Sequence, residues 1–171
     1  IRNGFAIPPR FGFSTVKEIV THPAWAMTMA LSGIPTFGNL TPYVPKGLGF
    51  RDTMESITDL VVGHVTPKIL QGLRDKWPGT LVVKGILSPD DATLCQELGA
   101  DGIIVSNHGG RQLEAAPSAT KVLPRIRAAV GADYPLIADG GIRTGLDICR
   151  MLALGANFVL MGRPFYYAVA A

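Results

Sequence analysis

From Thr80 onward, short unbroken apolar runs alternate with segments whose apolar residues recur at helical spacing. The runs are TLVVKGIL, DGIIVSN, YPLIADGG and NFVLMGR, too short for helices and without apolar–polar alternation, which predicts parallel strands covered on both faces. Between them lie SPDDATLCQELG, SATKVLPRIRAAVG and RTGLDICRMLALG. The first is a complete helix statement: Ser88 as cap, Pro89 at the first helical position, acids in the first turn and Gly99 at the end. The second carries Pro124, which is expected to kink or restart the helix. Upstream, RDTMESITDLVVGH and TPKILQGLRDKW read as helices, the latter capped by Thr66, entered through Pro67 and stopped by Trp77-Pro78-Gly79. Residues 1–50 are rich in Pro and Gly around one apolar stretch, HPAWAMTMALSG, and are expected to form an irregular, mobile leader.

The regular part therefore reads β-α-β-α-β-α-β. Leu98-Gly99-Ala100-Asp101-Gly102-Ile103-Ile104-Val105 is similar to Leu154-Gly155-Ala156-Asn157-Phe158-Val159-Leu160-Met161, two βα units further on. Such a repeat suits equivalent strands of a closed barrel better than an open sheet, whose strand environments differ. Strand ends recur every 25–30 residues or so, and eight such units need about 250 residues. Four strands cannot close, so residues 51–171 are expected to be the C-terminal half of a TIM (β/α)8 barrel, α/β in class, behind a 1–50 leader. A four-stranded doubly wound sheet is the competing architecture.

Composition narrows the function classes. The 171 residues are 47% hydrophobic and 17% charged, ordinary for a globular domain. Sixteen basic residues against thirteen acidic give a net charge of +3, with no basic run, which disfavours nucleic acid. Cys95 and Cys149 lack metal-type spacing and read as small buried hydrophobes, so no metal site is expected and a reducing, cytoplasmic setting is. No run of about 18 apolar residues is present. Trp25, Met27, Met29 and Leu31 suit either a membrane surface or a lid on the chain's own barrel, and His22 and His64 read as structural or surface residues.

Chemistry in this architecture sits at the C-terminal strand ends. The first end offers Lys84, which can serve a site or simply snorkel to solvent. The second offers Ser106-Asn107-His108-Gly109-Gly110-Arg111: an imidazole able to act as a base near neutral pH and a guanidinium able to grip a carboxylate, three residues apart. The third and fourth, Asp139-Gly140-Gly141-Ile142-Arg143 and Gly162-Arg163-Pro164, place glycines and arginines where backbone N–H groups can approach an anion, as phosphate loops do.

The strings VKGI, GADGIIVSNHGGRQLE, ADGGIRTGLD and LGANFVLMGRPF together resemble the FMN-dependent L-2-hydroxy-acid dehydrogenases and oxidases. The resemblance runs from about Leu81 to Ala171, and the opening RNGFAIPPRF is similar to the segment that leads into that family's mobile fourth loop. It implies FMN as cofactor and oxidation of a small, lactate-like L-2-hydroxy acid to the 2-oxo acid. It assigns His108 as catalytic base, Arg111 as carboxylate clamp, Lys84 and Ser106 to the flavin, and Asp139, Gly140, Gly141, Ile142, Arg143, Gly162 and Arg163 to the ribityl chain and phosphate. It also implies an electron acceptor (quinone, cytochrome or O2), the remaining half of the barrel, a homo-oligomer such as a tetramer, and peripheral attachment at the inner face of the cell membrane. Glu114 stands where the family usually has Asp, one methylene shorter. Another FMN- or phosphate-binding barrel (isomerase- or IMP-dehydrogenase-like) and a catalytically silent half-barrel are the alternatives.

Overall fold

The computed structural model describes residues 12–33, 37–61 and 64–171. The chain forms two compact units, Ile1–His64 and Val65–Ala171. The first holds α1 (Phe13–Thr21), α2 (Pro23–Ser32), a 3-10 turn at Thr41–Tyr43 and α3 (Phe50–Val61). The leader expected to be irregular thus carries two helices. Pro23 and Pro42 enter a helix and a turn at the positions where a missing N–H costs nothing. Gly12 and His22, rather than Ser, Thr, Asp or Asn, stand at the two helix starts, so the usual cap signal is missing. The α3 segment, grouped above with the barrel residues from 51 onward, lies in the first unit.

In the second unit the caps act as expected. Thr66 Oγ1 accepts from the Ile69 N–H (3.3 Å) at the start of α4 (Pro67–Lys76), and Ser88 Oγ accepts from the Asp90 N–H (3.2 Å). The alternation then runs β1 (Val82–Ile86), α5 (Pro89–Glu97), β2 (Gly102–Val105), α6 (Ala119–Val130), β3 (Leu136–Ala138), α7 (Gly145–Ala153), β4 (Phe158–Val159) and α8 (Arg163–Ala170). Pro124 does not restart α6; its site faces solvent while Val122, Leu123, Ile126 and Val130 hold the helix to the core.

The strands are parallel and ordered β1-β2-β3-β4, in chain order. A doubly wound sheet would reverse that order at a switch point. Register puts Ile103 beside Leu136 and Val105 beside Ala138 and Ile86, on the face covered by α5, α6 and α7; Ile103, Val105, Leu136 and Ala138 are wholly buried there. The other face carries Lys84, Ile104, Ile137 and Phe158 in one row, and Phe158 is 64% exposed. One helical layer on a sequentially ordered sheet with an open inner face is an arc of a (β/α)8 barrel. Cys95 is buried as expected, but Cys149 is exposed: it lies one residue past Ile148 on α7, turned off the face that buries Met151.

The sequence repeat is a repeated clamp at the N-terminal rim. Asp101 Oδ2 accepts from the Leu81 N–H (2.7 Å) and from Arg74 Nη1 (2.9 Å), while Arg74 also donates to the carbonyls of Gly99, Gly79 and Trp77. The Leu81 N–H first, and Arg74 with it, hold the Asp101 carboxyl below the usual carboxylate range. In the second copy, Asn157 Oδ1 accepts from the Leu136 N–H (2.9 Å) and Arg127 Nη2 (2.7 Å), and Arg127 Nε donates to Gly155 O (2.9 Å). Both glycines have positive φ, and a Cβ on Gly155 would sit 2.9 Å from Arg127 Cγ.

Candidate functional site

All the candidate chemistry gathers at the opposite, C-terminal rim. Lys84 is the inward residue of β1, and the register skips at Gly85 (φ +99°), a bulge that aims the lysine across the sheet. Its side chain remains 44% exposed, but its ammonium has two partners in the site. It donates to Ser106 Oγ (3.2 Å) and pairs with Asp139 Oδ2. The Asp139 backbone is fixed by its N–H bond to Val105 O (3.2 Å), while its Oδ1 is buried without a hydrogen-bond partner among the described residues.

After β2 the chain makes a 3-10 turn, His108–Gly110. His108 has φ +57°, the only non-glycine in the left-handed region among the described residues. Asn107 braces the turn: its Oδ1 accepts from the Gly110 N–H (3.3 Å), and that oxygen would stand 3.4 Å from a Cβ on Gly140. Gly140 (φ +97°) therefore lets the loop after β3 pass close to the turn after β2. A Cβ on Gly109 would likewise meet Arg163 Nη2 at 3.8 Å, so the loop after β4 reaches the same turn.

A cavity of about 390 Å³ lies among these loops, and its walls include His108, Arg111, Asp139, Gly140, Gly141, Ile142, Gly162 and Arg163. A second, of about 530 Å³, is walled by Lys84, Ser106, Asn107 and Gln112, and His108 borders both. Arg143 borders neither; it stands exposed, and its N–H donates to Asp147 Oδ2 (3.2 Å). Leu160, Met161 and Tyr166 also wall the first cavity, and none of them is a site candidate on sequence alone. Tyr166 follows Arg163 by three positions, the spacing that shares a helix face, and that was the available signal.

The two helix starts at this rim differ. Asp147 closes a capping box on α7, accepting from the hydroxyl and N–H of Thr144 and from the Arg143 N–H, and these bonds hold its carboxyl below the usual range. That start already has its anion. At α8, Gly162 stands at the cap position with no side-chain cap, no acid occupies the first turn, and Arg163 adds charge. An incoming anion is favoured there.

Residues 1–171 match the family described as FMN-dependent dehydrogenase. The L-lactate dehydrogenase of Actinobacillus pleuropneumoniae serotype 5b (strain L20) is 47% identical over 155 residues, covering 90% of this chain and 41% of that protein. That of Stenotrophomonas maltophilia (strain R551-3) is 45% identical over 164 residues, 95% of this chain and 43% of the relative. Among solved structures, the monotopic membrane protein (S)-mandelate dehydrogenase aligns over 99% of this chain and 44% of its own, with 38% identity and a TM-score of 0.82. A mandelate oxidase bound to benzoyl-formic acid aligns over 62% of this chain and 32% of its own, with 43% identity and a TM-score of 0.60. The chain spans less than half the length of these relatives.

Proposed function

Because the chain belongs to the FMN-dependent dehydrogenase family, we propose that it supplies the C-terminal part of a flavin site that oxidises a small L-2-hydroxy acid to the 2-oxo acid. The observation that carries this reading is the meeting of His108 and Arg111 with the Asp139–Ile142 and Gly162–Arg163 loops around one cavity, with Lys84 turned toward the same turn.

FMN fits what these residues leave unsatisfied. The orphaned Asp139 Oδ1 is an acceptor for a ribityl hydroxyl. The turn at Gly140 and Gly141, both with positive φ, and the α8 start with Arg163 form an anion seat for the phosphate; Arg143, exposed on the same loop, can add its charge. Lys84, with Ser106, stands on the flavin side, where a cation favours negative charge on the reduced ring. When bound, FMN accepts the two electrons the hydroxy acid gives up.

The chain's own residues do the rest. Arg111 grips the substrate carboxylate through its two-pronged donor set and so fixes the C2 hydroxyl. An unprotonated ring nitrogen of His108 takes the hydroxyl proton as oxidation proceeds. The cation of Lys84 is paired with Asp139, so the largely buried Asp139 carboxylate is not left without a counter-charge before the flavin binds. The open inner face of the sheet, with Phe158 and Val82 exposed, is where the remaining half of the barrel would close. The acceptor of the electrons is a quinone, a cytochrome or O2.

The test is anaerobic mixing of the full-length holoprotein with L-lactate, and separately with (S)-mandelate and glycolate. Bleaching of the flavin absorbance by at least one of these is the expected result. An unchanged flavin spectrum with all three contradicts the reading.

The same reading places the protein peripherally on the cytoplasmic membrane face. None of the described helices is long and apolar enough to cross a membrane. Yet α2 buries none of its residues, and Trp25, Met27 and Leu31 are exposed on it. The neighbour called monotopic matches 99% of this chain, whereas the mandelate oxidases leave about a third or more unmatched. The holoprotein is expected to co-sediment with phospholipid vesicles, and Trp25→Ser with Leu31→Ser to weaken that binding about tenfold or more. Equal sedimentation of parent and variant contradicts the placement.

A further inference from the structure

Ser106 is buried at the end of β2, 2% exposed. Its oxygen accepts from the Lys84 ammonium (3.2 Å) and from the His108 backbone N–H (3.0 Å). A serine hydroxyl has two acceptor lone pairs and one donor hydrogen, so both acceptor places are filled, one from each side of the site. The N–H partner belongs to the residue held at φ +57°. A side-chain-bearing residue keeps such a conformation only where its surroundings over-determine it. Beside the backbone bonds Gly110 N–H to Asn107 O and Arg111 N–H to His108 O, the side chains of Ser106 and Asn107 restrain that turn, and of these two only Ser106 also touches the cation.

Resting on the assignment of His108 as base and Lys84 as flavin-side cation, we propose that Ser106 is a positioning residue of this reaction. Its hydroxyl ties the ammonium and the imidazole-bearing turn to a single oxygen, so that cation and base keep one separation. Without it, Lys84 retains only the pull of Asp139, and the backbone of His108 loses a bond that holds its left-handed conformation.

The experiment uses the full-length holoenzyme carrying Ser106→Ala. A misplacement of about 1 Å can cost 10²-fold in rate, so kcat is expected to fall about 10- to 100-fold. With Arg111 untouched, KM should stay within about threefold. The affinity of the bound flavin for sulfite, which reports positive charge near the ring, should fall about tenfold as the ammonium moves. Ser106→Cys, close in volume but a weak acceptor, should behave alike, and Ser106→Thr, which keeps the hydroxyl, should recover both properties. Should Ser106→Ala fail to fold, the sulfite titration of Ser106→Cys decides. An unchanged sulfite affinity in the folded variants, with or without a lower thermal midpoint, overturns the proposal. Failure of the underlying assignment reads out separately, as a His108→Gln enzyme that still turns over the hydroxy acid.

Discussion

His108→Gln is expected to lower hydroxy-acid turnover by about 10³-fold or more, within the range that general-base catalysis contributes, while FMN stays bound. Glutamine has nearly the size and hydrogen-bonding reach of the imidazole but takes up no proton near neutral pH. The phosphate and ribityl contacts assigned above lie on the loops after β3 and β4, so the cofactor should not depend on this side chain. The position itself adds a smaller effect. His108 lies at φ +57°, and histidine tolerates that region better than most side chains, so the variant should also lose some stability. Steady-state kinetics beside a flavin titration separate the two: kcat collapses while the FMN dissociation constant moves by no more than about threefold. A variant retaining a tenth or more of parental kcat contradicts the role of base.

The second large effect is on stability. Arg127→Ala is expected to destabilise the fold by about 3 kcal/mol, because one guanidinium joins four carbonyls and the Asn157 side chain, two of those carbonyls in part-buried bonds. Its Nη1 donates to the carbonyls of Gly131 (2.6 Å), Ala132 (3.1 Å) and Tyr134 (2.8 Å), its Nε to Gly155 and its Nη2 to Asn157. Truncation leaves the part-buried carbonyls of Tyr134 and Gly155 unpaired, and it frees Asn157, which otherwise seats the first residue of β3. Arg127→Lys should recover little, since a lysine has three donors on one atom and cannot span the fork. Denaturant unfolding measures the loss, and FMN binding by the folded fraction should be unaltered because the clamp is at the rim away from the cavity. A loss under about 0.5 kcal/mol, the level of ordinary surface substitutions, contradicts the clamp.

The parts of the fold legible in the sequence were those written in local chemistry. Thr66, Ser88 and the prolines that follow them fixed two helix starts, and unbroken apolar runs marked four strands. The repeat was visible as Leu-Gly-Ala-Asp and Leu-Gly-Ala-Asn, but its cause was not. The partners Arg74 and Arg127 lie more than 20 residues earlier in the chain, and only the fold brings them to the repeated acid or amide. The two leader helices are hidden for the converse reason: Pro23 looks like a breaker when read singly yet stands at the start of α2, and Gly12 gives α1 no side-chain cap signal. The Phe158–Val159 strand is shorter than its apolar run, since only Ile137 and Ala138 of β3 pair with it.

The site divides in the same way. His108, Arg111 and the glycine-bearing loops were legible because residue type and position after a strand restrict what they can do. Residue order could not reveal that Lys84 turns across two strands to Asp139, that Ser106 is shared by the cation and the turn, or that the α7 start is already occupied by Asp147. Those facts depend on the bulge at Gly85 and on a capping box whose members also read as ordinary helix residues.

The most direct measurement is a crystal structure of the full-length protein with FMN and a bound 2-oxo acid. The phosphate should accept hydrogen bonds, at about 3 Å, from the loop of Gly140 and Gly141 and from Gly162 and Arg163. The ligand carboxylate should rest on Arg111, and a ring nitrogen of His108 should lie at about 3 Å from the C2 oxygen. A phosphate seated away from these loops, or an imidazole turned away from the bound acid, contradicts the assignment.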